Sequence, residues 1–427
     1  MTATTMPLYT VSIRSLDGEV LALVQLCPKD LVHAICSAAA RAGRERGKER
    51  FDLVYGTHIL TRFDTAESIG LQQDASLYVV RKPPVRVLMV SADGHMQMFN
   101  SHSAEPLCSF SGLQSRVLAA TASPDGRKVL SMCVDGAAQL FDSQSGMLQH
   151  TLSDHYTSFK SGTFSPDSST ALVAGGDCAR LFNVDSGACI LSLNVPLGNE
   201  VKAAAFSPDG CMASLLFSEG FVMLFEVKSG GQMVTIPDGN MRTHFKIQSV
   251  KFSPDGEKLL AVTSRGAVLL FNTRSGKRIC DFLDDGRWFD SATFSPDGSK
   301  VLAISTDCDA SLFDAEFGSV ASRFKNLGYY MHPHDMVFSP DGTKVLFPTD
   351  THMAKVFHVG VAEAFALQHT LAGHSQPIGT VAFSPDGDLV LTASSDGHAR
   401  LYNSETGSCL HTLSAHAGGV SCASFVC

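Results

Sequence analysis

Ser253-Pro-Asp-Gly256 is one of seven copies of a four-residue turn that recur every 42 to 46 residues through most of this chain. The other copies are Ser123-Pro-Asp-Gly126, Ser165-Pro-Asp-Ser168, Ser207-Pro-Asp-Gly210, Ser295-Pro-Asp-Gly298, Ser339-Pro-Asp-Gly342 and Ser384-Pro-Asp-Gly387. Proline sets φ at the first corner, aspartate bonds the backbone beyond it, and glycine accepts the left-handed conformation that closes the turn. A fixed period of this length predicts a repeat fold.

Short β-favouring segments flank each turn in a constant order. Around Ser384, Ile378–Phe383 precedes the turn, Leu389–Thr392 follows it, Asp396-Gly397 makes a second turn, and a third segment ends at Leu401-Tyr402. A Ser-Gly or Thr-Gly turn then leads into a fourth segment. Four short antiparallel strands in each period of about 42 residues predict one blade of a β-propeller.

The repeats resemble the WD-repeat family from about residue 86 to residue 427. The repeat length and Gly373-His374 carry the resemblance, although Phe or Tyr stands where the family usually has Trp. In this one repeat, the resemblance assigns the family's structural hydrogen-bond quartet to His374, Thr392, Asp396 and Tyr402. Because the other repeats lack a complete quartet, we expect the blades to be held mainly by apolar packing between sheets.

The number of strands predicts how the ring closes. Arg86–Val90, His95–Phe99 and Leu107–Phe110 have no first strand before them, whereas Val420–Phe425 aligns with the first strand of every repeat. Seven complete repeats and one blade shared between the two ends make eight blades. A seven-bladed ring is the alternative, in which the first unit only packs against the ring. A closed ring has no long exposed edge, so we expect a monomeric propeller within a larger complex.

Residues 6–84 break this rhythm and predict a domain separate from the propeller at 85–427. The domain is predicted to contain a hairpin joined at Asp17-Gly18, a helix and two later strands. These elements fall at Leu8–Ile13, Val20–Leu26, Asp30–Gly43, Phe51–Tyr55 and Ser76–Val80. Their order and spacing resemble the ubiquitin-like β-grasp fold.

The resemblance implies a partner-binding apolar patch at Leu16, Val54, Tyr78 and Val80. The alternative is that these are ordinary strand residues and that the domain is only a structural cap on the ring. Arg81-Lys-Pro-Pro84 stands where a conjugated tag would have Gly-Gly. We therefore expect a built-in adaptor module, not a tag.

Composition restricts the classes of partner and cofactor. The 427 residues are 44% hydrophobic, with no run long enough to span a membrane. The net charge is −9 and no basic tract occurs, which argues against nucleic-acid binding. None of the 12 cysteines forms a Cys-x-x-Cys pair, and we expect buried thiols at Cys133, Cys189, Cys280 and Cys409, within strands. The sequence therefore predicts a cytoplasmic or nuclear protein without a cofactor, a metal or a membrane partner.

The loops that enter the first strands contain an unusual set of aromatic and basic residues. In WD-type propellers these loops gather at one end of the ring. Aromatic residues and arginine dominate interface hot spots, so we predict a surface that binds a protein or peptide, formed by Tyr156, Arg242, Arg287, Trp288, Tyr329 and Tyr330. The alternative is that the aromatic residues pack between the blades.

These features together predict a non-enzymatic interaction scaffold. The propeller would bind one protein or peptide and the ubiquitin-like domain a second, in a ubiquitin-related or regulatory complex. The enzymatic alternative is a propeller hydrolase with a metal near His332 and His334, where His352 and His358 could add ligands. Neither a Gly-x-Ser-x-Gly nucleophile motif nor a glycine-rich phosphate loop occurs in the sequence.

Overall fold

The computed structural model describes residues 9–14, 20–26, 51–55, 58–59, 76–81, 85–113, 115–152, 159–237, 246–307, 309–324, 336–349, 351–359, 365–414 and 418–426. The chain divides into two compact units, residues 1–84 and residues 85–427. The secondary-structure elements of the described residues are strands, β1 to β37. Within these ranges no helix is long and apolar enough to cross a membrane.

The first unit contains a five-stranded mixed sheet. Its strands are β1 (Tyr9–Arg14), β2 (Val20–Leu26), β3 (Phe51–Tyr55), β4 (His58–Ile59) and β5 (Ser76–Arg81). They lie in the order β2-β1-β5-β3-β4, with β1 antiparallel to β2 and parallel to β5. Val11, Ile13 and Leu77 are fully buried, so these two central strands contribute to the core. The helix predicted over residues 30–43 lies outside the described residues.

The second unit is an eight-bladed β-propeller, which confirms the predicted count and rules out the seven-bladed alternative. Each blade is a four-stranded antiparallel sheet. Blade 1 consists of β37 (Val420–Val426), β6 (Arg86–Ser91), β7 (Met96–Asn100) and β8 (Pro106–Ser109).

The other seven blades follow in chain order. Blade 2 is β9 (Val117–Ala122), β10 (Lys128–Cys133), β11 (Ala138–Asp142) and β12 (Leu148–Leu152); blade 3 is β13 (Ser161–Phe164), β14 (Thr170–Gly175), β15 (Cys178–Asn183) and β16 (Cys189–Leu193). Blade 4 is β17 (Val201–Phe206), β18 (Met212–Phe217), β19 (Val222–Glu226) and β20 (Gln232–Ile236); blade 5 is β21 (Ile247–Phe252), β22 (Lys258–Thr263), β23 (Val268–Asn272) and β24 (Arg278–Phe282). Blade 6 is β25 (Phe289–Phe294), β26 (Lys300–Ser305), β27 (Ala310–Asp314) and β28 (Val320–Phe324). Blade 7 is β29 (Val337–Phe338), β30 (Lys344–Pro348), β31 (Ala354–Val359) and β32 (Phe365–Leu371); blade 8 is β33 (Ile378–Phe383), β34 (Leu389–Ser394), β35 (His398–Asn403) and β36 (Cys409–Ser414).

Apolar side chains between neighbouring sheets form the core of the propeller. In one cluster, Phe282 of blade 5 packs edge-on against Phe313 of blade 6, with 5.3 Å between ring centroids. Phe289 packs against the same Phe313 ring at 5.7 Å. Aromatic rings that meet edge to face add to the stability gained from burying their area.

Blade 1 closes the ring by joining the two ends of the unit. β37 pairs antiparallel with β6, from Val420 opposite Ser91 to Val426 opposite Arg86. Residues of β37 face both neighbours, since Ala423 belongs to a buried cluster with blade 8 and Val426 to one with blade 2. The closing strand therefore completes two cores as well as one sheet.

The Ser-Pro-Asp-Gly turns are stabilised by their own side chains. In one turn, Ser207 Oγ donates to Asp209 Oδ1 at 2.5 Å and accepts from the Met212 N–H at 2.9 Å. The Cys211 N–H donates to Asp209 Oδ1 at 3.0 Å. Where Ser168 replaces the glycine, it adopts a φ of 63°, and its hydroxyl accepts from the Asp125 N–H of the preceding blade at 3.0 Å.

Two of the four cysteine predictions are wrong. The structure places Cys133 in the core and leaves Cys280 half-buried, but Cys189 and Cys409 are exposed. Both exposed residues begin a fourth strand, which is the outer edge of its blade and faces solvent. The described cysteines are free thiols.

We predict that acid weakens these turns. The hydrogen bond from Ser207, followed by that from the Cys211 N–H, holds the pKa of Asp209 below its ordinary value. Because the folded pKa lies below the unfolded one of about 3.9, the stabilisation is complete above that pH and is lost as pH falls through the folded pKa. Urea unfolding followed by circular dichroism should show that Asp209→Asn is less stable than wild type by at most about 1 kcal/mol at pH 7. An undiminished difference at pH 3 would contradict this account.

We also predict that the closing strand tolerates a charge at an exposed position but not at a buried one. Ala423→Asp should lower the free energy of unfolding by more than about 3 kcal/mol, because it buries an unpaired carboxylate between blades 1 and 8. Ser421→Asp is the matched control, since Ser421 lies in the same strand and is exposed. It should change stability by less than about 0.5 kcal/mol. Equal effects in urea titrations would show that β37 is not part of the core.

Candidate partner-binding surface of the propeller

The antiparallel strand order separates two ends of the propeller. The loops that enter first strands lie at the same end as the turns between second and third strands, here called the loop end. The Ser-Pro-Asp-Gly turns and the turns between third and fourth strands lie at the other end, here called the turn end. Arg287 and Trp288, two of the six predicted propeller contacts, belong to a loop-end segment.

Two of the six predicted contacts fall within the described residues, Arg287 and Trp288. The other four lie outside them, namely Tyr156, Arg242, Tyr329 and Tyr330, as do His332 and His334 of the hydrolase alternative. Trp288 is 61% exposed, whereas the adjacent Phe289 is 1% exposed and packs in the core. Phe159, from another loop-end segment, is buried as well. The two phenylalanines thus pack between the blades, whereas Trp288 is exposed to solvent.

The backbone of Trp288 is held by the neighbouring turns on both sides. The Phe289 N–H donates to the Gly266 carbonyl of blade 5 at 2.9 Å, and the Thr306 N–H donates to the Trp288 carbonyl at 2.9 Å. Gly266 has a φ of +68°, and a Cβ there would lie 2.6 Å from the Trp288 Cβ. Only glycine therefore allows this close approach, which fixes the chain from which the indole projects.

A buried carboxylate anchors the loop just before Trp288. The Asp284 side chain is fully buried, and Ser311 Oγ donates to its Oδ2 at 2.5 Å. Arg323 Nη2 lies 2.5 Å from Asp284 Oδ1 and 2.8 Å from Asp285 Oδ2. The contact with Asp284 lies outside hydrogen-bond geometry, so it is an ion pair. A buried carboxylate needs such a partner, because removing it from water is costly.

Arg287 extends the same network. Its Nη1 lies 2.7 Å from Asp309 Oδ2, its Nε lies 3.8 Å from Asp284 Oδ2, and its side chain is only 19% exposed. Arg287 therefore holds the loop in place, and Trp288 is the more accessible of the two predicted contacts. Sequence reasoning missed Asp284 and Arg323. Asp284-Asp285 is visible as an acidic pair, but its partner 38 residues later is brought to it only by the fold.

Two exposed leucines at the loop end were also missed. Leu283 immediately precedes the anchored turn, and Leu197 lies in the loop between blades 3 and 4; both are exposed. The available signal for Leu197 was its position between Pro196 and Gly198, in a segment with no strand pattern. Contiguous exposed apolar side chains mark interaction surfaces, and Leu283 lies in the same loop as Trp288.

Tyr78, one of the four residues of the predicted ubiquitin-like patch, is 38% exposed. The register of β3 and β5 places Val54 opposite Tyr78 and Asp52 opposite Val80. Leu16 lies outside the described residues. The register thus brings Val54 and Tyr78 together at one position of the sheet.

The four residues assigned to the quartet lie together in blade 8. His374 Nδ1 is 2.8 Å from Asp396 Oδ2, and His374 Nε2 is 2.8 Å from Thr392 Oγ1. The Tyr402 hydroxyl donates to the Ala372 carbonyl at 3.0 Å. Because a carboxylate only accepts, Nδ1 carries the proton and Nε2 accepts from the threonine hydroxyl. Burial lowers the pKa of His374 even though Asp396 opposes the shift, which favours this neutral form.

We predict that His374 makes blade 8 sensitive to mild acid. Because its folded pKa is lowered below the unfolded value of about 6.5, its contribution is present above that pH and is lost as pH falls towards the folded pKa. His374→Ala should cost about 2 kcal/mol at pH 7.5, since Asp396 and Thr392 lose a buried partner. The cost should shrink at pH 5.

The matched control is His95→Ala, because the His95 side chain is 66% exposed. It should change the free energy of unfolding by less than about 0.5 kcal/mol at either pH. Urea titrations at pH 7.5 and pH 5 measure both variants. A cost for His374→Ala that does not depend on pH would contradict the assigned protonation.

Comparison with known proteins supports the repeat assignment in this part of the chain. Residues 365–403 match the family model described as WD domain, G-beta repeat. The chain is 29% identical over 86 residues to the COMPASS component SWD3 of Saccharomyces cerevisiae, which covers 20% of this chain and 26% of SWD3. It is 46% identical over 57 residues to Protein tipD of Dictyostelium discoideum, covering 13% of this chain and 9% of tipD. The matched segments thus span about a quarter or less of these relatives.

The computationally designed Ika8 protein has a similar fold. Its crystal structure aligns with a TM-score of 0.60 at 18% identity, over 73% of this chain and 91% of that chain. At this identity the likeness shows the fold alone. The second unit is therefore an eight-bladed β-propeller in which residues 365–403, with His374, Thr392 and Asp396, match a WD domain, G-beta repeat.

Proposed function

We propose that the protein is a non-enzymatic scaffold whose propeller binds a protein or peptide through the loop end. The observation that carries this proposal is Trp288, a 61% exposed indole on a backbone held from both sides. Tryptophan is among the residues that contribute most to binding energy at interfaces. The name of the relative SWD3, a COMPASS component, agrees with a role among protein partners.

The loop around Trp288 is suited to binding because it is ordered in advance. The Asp284, Arg287 and Arg323 network fixes the turn, so binding would not carry the entropy cost of ordering it. Leu283 adds exposed apolar area to the same loop. The proposed surface centres on Trp288 and includes the other predicted contacts, Tyr156, Arg242, Tyr329 and Tyr330.

For the N-terminal unit we propose a ubiquitin-like module that binds a second partner. The sheet order β2-β1-β5-β3-β4, with β1 and β5 parallel, supports the resemblance seen in the sequence. The register of Val54 with Tyr78 supports a patch there. Two docking sites on one chain raise the effective concentration of one partner near the other. A ubiquitin-related partner and a cytoplasmic or nuclear location belong to this proposal.

The hydrolase alternative has no described site that favours it. Among the described residues no group of three or more His, Cys, Asp or Glu could hold a metal ion. His352 and His358 lie in blade 7, while His332 and His334 are outside the described residues.

Quantitative affinity capture from cell lysate, with the full chain as bait, tests the proposal. Trp288→Ala should reduce one set of captured proteins by about tenfold, as loss of a hot-spot side chain costs about 1.4 kcal/mol or more. Phe317→Ala is the matched control, because Phe317 is 74% exposed but lies at the turn end. It should leave that set unchanged. Parallel urea titrations exclude unfolding as the cause of any loss.

Tyr78→Asp in the same experiment tests the second docking site. It should remove a different set of proteins, because a charge is placed on the proposed patch. If it changes no captured protein, the N-terminal unit has only a structural role. If Trp288→Ala and Phe317→Ala lose the same proteins, the loop end is not the binding surface.

A further inference from the structure

A groove of about 680 Å³ opens between blades 6 and 7 at the turn end. Blade 6 contributes Pro296, Lys300 and Ser322, and blade 7 contributes Phe338, Pro340 and Val359. The volume lies within the range of about 300–1,000 Å³ that is typical of ligand sites. The groove is at the opposite end from Trp288.

Among the described residues of this junction, a side chain that fills other junctions is replaced by a smaller one. In blade 3, Leu191 lies opposite Leu181 in the blade and packs against Gly230 of the next blade. His150 of blade 2 and His369 of blade 7 occupy the same register and pack against the equivalent glycines of their next blades. In blade 6 this register position is Ser322, opposite Leu312. A serine is too small to fill the space.

In two other blades, the residue that begins the second strand is a cation with a partner in the next blade. In blade 7 this residue is Lys344, which is buried and whose Nζ lies 2.6 Å from Glu405 Oε1 and 3.2 Å from the Ser404 carbonyl of blade 8. In blade 1 it is Arg86, which donates to Ser143 Oγ of blade 2 at 3.1 Å. In these two blades the cation is thus bound by polar groups of the next blade.

Lys300 holds the same position in blade 6 but lacks such a partner. Its side chain is exposed, and among the described residues its Nζ has no hydrogen-bond or ion-pair partner. Val359 of blade 7 occupies the position that Ser404 has in blade 8. The Val359 N–H donates to the Thr343 carbonyl, as the Ser404 N–H donates to the Asp388 carbonyl. Among the described residues, the junction therefore has a cation like that of the Lys344–Glu405 pair but no equivalent carboxylate.

We propose that this groove binds an acidic side chain of a peptide segment from a partner protein. The peptide carboxylate pairs with Lys300, and an adjacent apolar side chain lies against Pro296, Pro340 and Phe338. Ser322 offers a hydroxyl that has no hydrogen-bond partner among the described residues. This site is independent of the proposed loop-end surface.

The two aspartates at the groove are already hydrogen-bonded within their own turns. Asp297 accepts from Ser295 Oγ at 2.5 Å, from the Ser299 N–H at 3.1 Å and from Ser299 Oγ at 2.7 Å. Asp341 accepts from Ser339 Oγ at 2.5 Å and from the Thr343 N–H at 3.1 Å. Donors of their own turns thus stabilise both carboxylates, which keep their negative charge. At the next junction, between blades 7 and 8, Glu405 pairs with Lys344 although turn aspartates occupy the equivalent positions there.

A random heptapeptide library displayed on phage, selected on the full-length chain, tests the proposal. Selected peptides should share an Asp or Glu next to an apolar residue, and replacing that acid by its amide should weaken binding by about tenfold. Lys300→Glu should cause a similar loss, and a peptide with Lys in place of the acid should recover binding to that variant. Lys128→Glu is the matched control at the same position of blade 2, where Lys128 contacts Gln149.

Ser322→Leu and Trp288→Ala distinguish peptide binding in this groove from peptide binding at the loop end. Ser322→Leu introduces the residue of blade 3 and should remove binding without lowering the free energy of unfolding, whereas Trp288→Ala should leave binding unchanged. The proposal is overturned if no peptide is enriched relative to selection on Ser322→Leu. It is equally overturned if the peptides show no preference for acids, or if Lys300→Glu destabilises the chain without affecting peptide binding, since the groove would then hold part of the chain itself.

Discussion

The packing of each sheet between two neighbouring sheets is the interaction on which the rest of the propeller depends. A blade of four short strands cannot bury either of its faces alone, so its stability comes from the clusters shared across each junction. The first and last sheets bury both faces in the same way only if the ring closes. β37 provides this cover, because its residues enter the cores on both sides of blade 1. The turns and hydrogen-bonded side chains add to a structure whose main stability is apolar.

Much of the fold could be predicted from the sequence because its signals are local. The Ser-Pro-Asp-Gly turns mark where first strands end and second strands begin. Counting the segments between them predicted that Val420–Phe425 completes the blade that begins with Arg86–Val90, and the pairing of β37 with β6 confirms it. The candidate site was only partly predictable. Trp288 and Phe289 are adjacent aromatic residues in one loop, yet one is exposed and the other is core. Their different environments depend on the position of the neighbouring blade, which no local pattern contains.

The features that sequence reasoning missed join residues from separate elements. Asp284, in a loop, is bound by Ser311 and Arg323 from two strands of blade 6. The groove lies where Ser322 of one blade faces a junction at which Val359 of the next blade occupies the place of a serine. Neither residue is unusual when each repeat is considered alone. Ser322 and Val359 differ from the residues at equivalent positions of other blades, and this difference becomes visible only once the strand register is known.

The pairing of β37 with β6 has a consequence for how the chain folds during synthesis. The two partners are separated by roughly 330 residues, and the ribosome makes β6 near the start of the propeller and β37 last. Until β37 emerges, β6 has an unpaired inner edge and blades 2 and 8 each lack part of their cover. Such edges and apolar surfaces favour association with other chains. The nascent propeller thus passes through a long open stage, in which protection by a chaperone would matter most for blade 1 and its two neighbours.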